Sequence, residues 1–267
     1  MTLKGYACAF VSLVCLLPVP TAAGQNNSAA TAQNVVAGQP AWHFTSNNTT
    51  VVDYKWYVFG ARSGRSYCVE TSAYQFFENG TNGAADTAIL VYRADGTTII
   101  VSNDDTIDEP LSGTNYHPPS GNYGLSRACF IAQNNEQTFI SLAGFNAGSN
   151  NYTARLVETT LFSNWFFLGG DYQSYTLLRN TTNQPVSCVI VWRNAEGNAV
   201  SAVEGVLPPN GSIYKNGRDF SGALAATSGT VEVFHTGAPD AIVASTTVLS
   251  LTTGLSFDAP FMKRTPW

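Results

Sequence analysis

The sequence predicts an all-β protein in which two β-sandwich or jelly-roll domains stand in tandem after a signal peptide. Three observations carry this. Runs rich in Val, Ile, Thr, Tyr and Phe recur along the chain, Gly, Asn, Asp and Pro punctuate them, and no stretch sustains a helical period.

The first 23 residues read as an export signal: Lys4, an apolar stretch from Tyr6 to Leu17, then Pro18, Pro20 and the small residues Thr21-Ala22-Ala23. That apolar stretch is well short of the roughly 20 residues a bilayer-spanning helix needs, and no later segment comes closer. Residues 24–40 lack aromatic residues and periodicity and are expected to form a flexible leader. A first domain is expected over 41–158 and a second over 159–267.

In the first domain the strand-like runs are 55–60, 65–71, 86–93, 97–102, 127–132, 137–143 and 151–157. The pair Asp95-Gly96 between the third and fourth supplies the positive backbone angles of a tight hairpin, so these two strands are expected to be antiparallel neighbours. A new aromatic cluster, Phe162, Trp165, Phe166 and Phe167, opens the second domain. Its strands are expected near 173–180, 186–194, 199–206, 230–235, 241–249 and 255–262. Val186, Cys188, Ile190 and Trp192 share one face of their run while Val189 and Val191 make the other face apolar, which predicts a central strand. Asn194-Ala195-Glu196-Gly197 closes a hairpin, and Pro208-Pro209-Asn210-Gly211 marks another turn.

Composition narrows the function. Charged residues make up 12% of the chain and the formal charge is −5, with no cluster of Lys and Arg, which argues against a nucleic-acid partner. Cys8 and Cys15 lie in the signal, leaving Cys68, Cys129 and Cys188 in an oxidising compartment. Cys68 and Cys129 sit in strand-like runs of one domain and are the expected disulfide, with three buried thiols as the alternative.

The order Tyr54-Lys55-Trp56-Tyr57, Gly64-Arg65-Ser66-Tyr67, Asp86 to Tyr92 with its Asp95-Gly96 turn, Asn103-Asp104-Asp105, Gln137 to Leu142 and Asn151-Tyr152-Thr153 resembles the bacterial pre-peptidase C-terminal domain. That jelly-roll module is appended to many secreted proteases. Two cysteines and an insert around Tyr116 to Asn122 depart from its pattern. The second half, through Asn164-Trp165-Phe166, Leu178 to Thr182, Val231 to Gly237 and Thr253 to Phe261, is similar to a C-terminal module of bacterial exported proteins and brings no activity with it. The resemblance implies an accessory or binding role outside the cell, sometimes calcium-dependent, toward a protein or polysaccharide.

The candidate chemistry follows. Calcium takes six to eight oxygen ligands, and the acidic stretch Asn103, Asp104, Asp105 and Asp108, joined by Asp86, is the expected metal site. Glu109 closes the acidic stretch, and Asp53 and Glu70 would add ligands if the sandwich brings them close, as the resemblance implies. His43, His117 and His235 are too scattered in sequence for a zinc site, and His117 and His235 read as structural. No G-x-S-x-G elbow occurs, and nothing reads as a complete catalytic site. Sugar faces stack on aromatic rings, so Trp42, Tyr116, Tyr123 and Trp165, in or near predicted loops, are candidate contacts, with Tyr116 and Tyr123 the least core-like. The predicted function is a secreted, non-catalytic binding or surface-assembly protein. An exported hydrolase with a dispersed active site and a structural subunit of an extracellular layer or fibre are the alternatives.

Overall fold

The computed structural model describes residues 26–48, 54–73, 87–104, 125–144 and 148–263. The segment expected to be an export signal, and Asp53, Asp86, Asp105, Asp108, Glu109, Tyr116, His117 and Tyr123, lie outside the described residues. Among the described residues the architecture is all-β, with one short α-helix and two single-turn 3-10 helices, and no helix is long and apolar enough to cross a membrane.

The first half is a two-sheet sandwich. Its strands are β1 (Gln33–Asn34), β2 (Trp42–Asn48), β3 (Lys55–Ala61), β4 (Arg65–Ala73), β5 (Thr87–Tyr92), β6 (Ile99–Asp104), β7 (Arg127–Ala132), β8 (Glu136–Gly144) and β9 (Gly148–Glu158). A five-stranded sheet in the order β1-β3-β8-β5-β6 faces a four-stranded sheet in the order β2-β9-β4-β7. Alternation along each strand sends one set of side chains inward, and Phe59, Val69, Ile89, Ile140 and Leu156 meet between the sheets in one buried cluster. The Asp95-Gly96 hairpin forms as its sequence demands. Gly96 has φ 67°, the Asp95 carboxylate accepts the Thr97 and Thr98 backbone N–H groups, and β5 and β6 pair antiparallel. Cys68 stands directly opposite Cys129 in the β4–β7 ladder, and the two form a disulfide.

Where a flexible leader is expected, residues from Asn26 onward lie against the sandwich instead. β1 adds in parallel to the edge of β3, Val35 is buried in the first core, and the Gly38 N–H donates to the Leu156 carbonyl on the opposite sheet. One apolar side chain and a few backbone hydrogen bonds order a segment whose composition alone is that of a linker, because the edge of β3 offers unpaired backbone groups. β2 was also absent from the predicted runs: its Ser46-Asn47-Asn48 end has low strand propensity, and pairing with β9 along the whole strand overrides it.

The second half contains β10 (Leu161–Phe167), β11 (Tyr172–Asn180), β12 (Val186–Arg193), β13 (Ala199–Leu207), β14 (Ser212–Asn216), β15 (Ser228–His235), β16 (Ile242–Ser250) and β17 (Ser256–Lys263), with α1 (Ser221–Ala226) between β14 and β15. They follow one another in the order β13-β12-β15-β10-β17-β16-β11-β14. The first four strands and the last four are joined by the three-residue ladder between β10 and β17 and enclose a core containing Phe166, Leu178, Ile190, Trp192 and Val233. The sheet nearly closes on itself: a Cβ added at Gly205 of β13 would lie 3.5 Å from the Ile213 side chain of β14. β12 is central between β13 and β15, as its two apolar faces require.

The two cores are separated in sequence between Leu156 and Leu161. Around that join, the Thr159 N–H donates to the Ser66 carbonyl and the Ser66 N–H donates to the Thr160 hydroxyl. The Arg65 guanidinium lies 4.6 Å from the Phe162 ring centroid and approaches Glu232 at 3.6 Å and Glu158 at 3.8 Å. Arg193 completes the group with a 2.6 Å bond to Glu232.

His235, fully buried on β15, faces this join. Burial, helped by the positive charge of Lys263, pushes its imidazole down to about 4, while backbone contacts at Thr159 and Gly237 act in the opposite direction. A folded pKa below the unfolded value of about 6.5 means that the unfolded chain binds the extra proton first. The stability contribution is therefore complete above pH 6.5 and is lost as pH falls toward 4, on the order of 3 kcal/mol across that window. Urea unfolding at pH 7 and pH 4.5 is expected to show this loss, and a His235→Leu variant to show a correspondingly flatter profile.

Candidate functional site

Four aromatic rings form a continuous ledge on the second half. Phe257 meets Trp165 edge-on at 6.2 Å, Trp165 stacks on Phe167 at 6.0 Å, and Phe167 meets the Tyr172 ring at 5.3 Å. The local sequence explains the placement. β10 pairs with β17 only over Leu161 to Ser163, and its ladder with β15 is interrupted by a bulge between Ser163 and Phe166. A bulge re-aims side chains: Phe166 goes into the core, and Trp165 is left 38% exposed. From Pro260 back to Ser256, β17 is paired only with β16, and Phe257 is 49% exposed. Leu251 and Leu255, both exposed, extend the apolar surface along the β16–β17 turn.

Polar contacts hold the ledge in place. The Phe167 N–H donates to the Ser174 hydroxyl at 2.9 Å, and that hydroxyl donates to the Phe167 carbonyl at 2.8 Å. Arg218 caps the turn after β10 by donating to the carbonyls of Leu168, Gly170 and Tyr172. The Asp171 carboxylate accepts the Ser250 hydroxyl at 2.7 Å and the Thr252 N–H at 2.8 Å, and these bonds lower its pKa to about 2. The charges nearest the rings are thus committed to the backbone and to hydroxyls. What remains is a rigid apolar strip rimmed by hydroxyl groups, suited to stacking against a flat partner with little ordering cost.

The other predicted site residues are distributed differently. Asn103 and Asp104 belong to strand β6 rather than to a loop, and the Asn103 side-chain oxygen accepts the Arg127 N–H at 3.0 Å. Asp86, Asp105 and Asp108, the remaining predicted metal ligands, fall outside the described residues, as do Tyr116 and Tyr123. Among the described residues no group of three or more His, Cys, Asp or Glu is placed to hold a metal. Glu70 is a structural group: it stands opposite Arg127 on β7 and Arg155 on β9, bonding the first at 2.7 Å and the second at 2.5 Å. Trp42 packs on the first core, with its ring 5.1 Å from that of Tyr57.

Trp165 was legible as a loop-like aromatic. Tyr172 and Phe257 were not, because each sits in an alternating run that reads as a half-buried strand. The exposure of Phe257 follows from how little of β17 pairs with β10, a tertiary fact with no local sequence signal.

No family model matches the chain and no curated protein matches it, so the expected membership of the first half in the pre-peptidase C-terminal family is not shown. Among solved structures, the chain is similar to a protein of Parabacteroides distasonis that carries a provisional assignment as secreted, with 11% identity over 85% of this chain and 89% of that one and a TM-score of 0.24. It is also similar to a β-glucuronidase of glycoside hydrolase family 2, at 9% identity over 78% of this chain and 23% of that one with a TM-score of 0.21. A third likeness is to the extracellular region of zebrafish Gpr126/Adgrg6, at 12% identity over 86% of this chain and 31% of that one with a TM-score of 0.20. Likenesses of this size assign neither a family nor an activity.

Proposed function

We propose that this chain is a secreted, non-catalytic binding protein that holds an uncharged glycan against the ledge formed by Phe257, Trp165, Phe167 and Tyr172. The observation that carries the reading is an exposed tryptophan stacked within a fixed row of rings on a strand scaffold. Sugar rings present apolar C–H faces that lie flat on such rings, and their hydroxyls meet hydrogen-bonding groups at the rim. Asp171 and Arg218, the charged groups beside the rings, are already engaged, which matches a neutral ligand better than an ionic one. Export is supported by the N-terminal signal pattern and by a disulfide, which persists in oxidising compartments.

The test is a glycan array probed with the mature protein. Binding is expected to neutral glycans. Trp165→Ala is expected to weaken it by about 30-fold or more, the loss of about 2 kcal/mol typical of an aromatic anchor. Trp165 is half-exposed and outside the core, so the variant keeps the wild-type unfolding midpoint within a degree or two. Array binding that Trp165→Ala leaves intact removes the ledge from the account.

A further inference from the structure

The strands next to the ledge expose a second surface of the same chemical character. Ladder registers fix its layout. Tyr214 of β14 stands opposite Leu177 of β11, which stands opposite Ser245 of β16; one row along, Asn216, Tyr175, Thr247 and Asp258 follow each other across β14, β11, β16 and β17. The neighbours of these residues along each strand, Leu178, Thr176, Thr246 and Val248, are buried, so alternation places Tyr214, Leu177, Tyr175 and Thr247 on the outward face. Tyr214 is 69% exposed, Val243 61% and Leu177 45%, and Val243 stands opposite Arg179 on the same face. The polar side chains here are held in place: the Gln173 side-chain oxygen accepts the Tyr175 hydroxyl at 2.6 Å and the Asn216 amide at 2.7 Å, and the Thr247 hydroxyl donates to Asp258 at 2.6 Å.

We infer that this sheet face is a second glycan-contact surface, so that one molecule bridges two polysaccharide chains. The inference rests on the glycan reading of the ledge and extends it from one contact to two. Two features favour an uncharged polyhydroxylated occupant. Among the described residues the face carries Arg179 and Asp258 as its charged groups, which balance, and between them it presents tyrosine rings beside fixed hydroxyls and amides. The two surfaces are also continuous through β17 and point apart. Phe257 lies in the ledge while the next residue, Asp258, lies on the sheet face, and consecutive strand residues point to opposite sides. Surfaces so placed cannot grip one stretch of chain together, and their combined effect is cross-linking with the gain of multivalent attachment.

The experiment uses the mature protein with beads coated with cellulose, chitin or mannan, following both depletion of protein from solution and clumping of the beads. The wild type is expected to be depleted by at least one bead type and to clump it. Tyr214→Ala and Trp165→Ala are each expected to bind the same beads about 10-fold or more weakly while abolishing clumping, and the double variant to lose depletion. Clumping that persists in Tyr214→Ala, or depletion lost completely in either single variant, overturns the two-surface proposal while leaving glycan binding standing. A wild type that no bead type depletes overturns both.

Discussion

Loss of the Cys68–Cys129 disulfide is expected to destabilise the protein by about 4 kcal/mol. The bond joins residues 61 apart in sequence, and closing a loop of that length in the unfolded chain accounts for about 4 kcal/mol in the loop-entropy treatment. The cysteines lie on adjacent strands of the smaller sheet, on the face turned away from the core that Tyr67, Val69, Ala128 and Phe130 fill; Cys68 is buried and Cys129 half-buried. A Cys68→Ala, Cys129→Ala variant measured by urea denaturation is expected to show the lower midpoint with an m-value at least as large as the wild type's, since its unfolded state is less compact. Equal midpoints for variant and wild type would mean that the two strands are held by their ladder alone.

The second large effect is expected at Trp192. It is fully buried in the second core, stacks on Phe220 at 4.5 Å, and lies near the end of β12, which is paired on both sides by β13 and β15. Truncation to alanine leaves a cavity walled by strands on both sides, where collapse is limited, and costs about 3–5 kcal/mol. Trp192→Phe is expected to cost much less. The indole N–H has no hydrogen-bond partner among the described residues, so the smaller ring forfeits packing but no polar bond. Calorimetric midpoints of the two variants check the contrast. Equal losses would indicate that the indole nitrogen is bonded in solution.

Strand positions were the most legible part of this protein. Alternation and turn chemistry located β3 to β9 and most strands of the second half because those runs satisfy local and tertiary demands together: β-branched and aromatic side chains on a buried face, and Asp95-Gly96 or Gly197 where φ must be positive. The Cys68–Cys129 pairing was legible for the same reason, since both lie in runs of one sandwich. β2 and β1 escaped because long-range pairing, rather than propensity, forms them. β14, five residues after a Pro-Pro-Asn-Gly turn, is too short to show a period.

The candidate site was legible only in part. Trp165 stood out as an aromatic near a predicted boundary, but its neighbours Phe257 and Tyr172 reached it through the β10 bulge and the short β10–β17 ladder, neither of which leaves a mark on composition or spacing. Glu70 shows the converse. In sequence it was at most a conditional addition to the expected metal site, and cross-strand register places it opposite two arginines. The sheet face of Tyr175 and Tyr214 has an alternating pattern like that of any half-buried strand, and only the absence of a covering layer among the described residues distinguishes it.

The central claim is that the Trp165 ring touches the ligand. The most direct test is a tryptophan-fluorescence titration of the mature protein with the neutral glycan that binds most strongly on the array. A saturable emission change is expected in the wild type and in Trp192→Phe, and is expected to disappear in Trp165→Phe. A saturable change that survives in Trp165→Phe, or none in the wild type at concentrations where the array shows binding, would contradict the account.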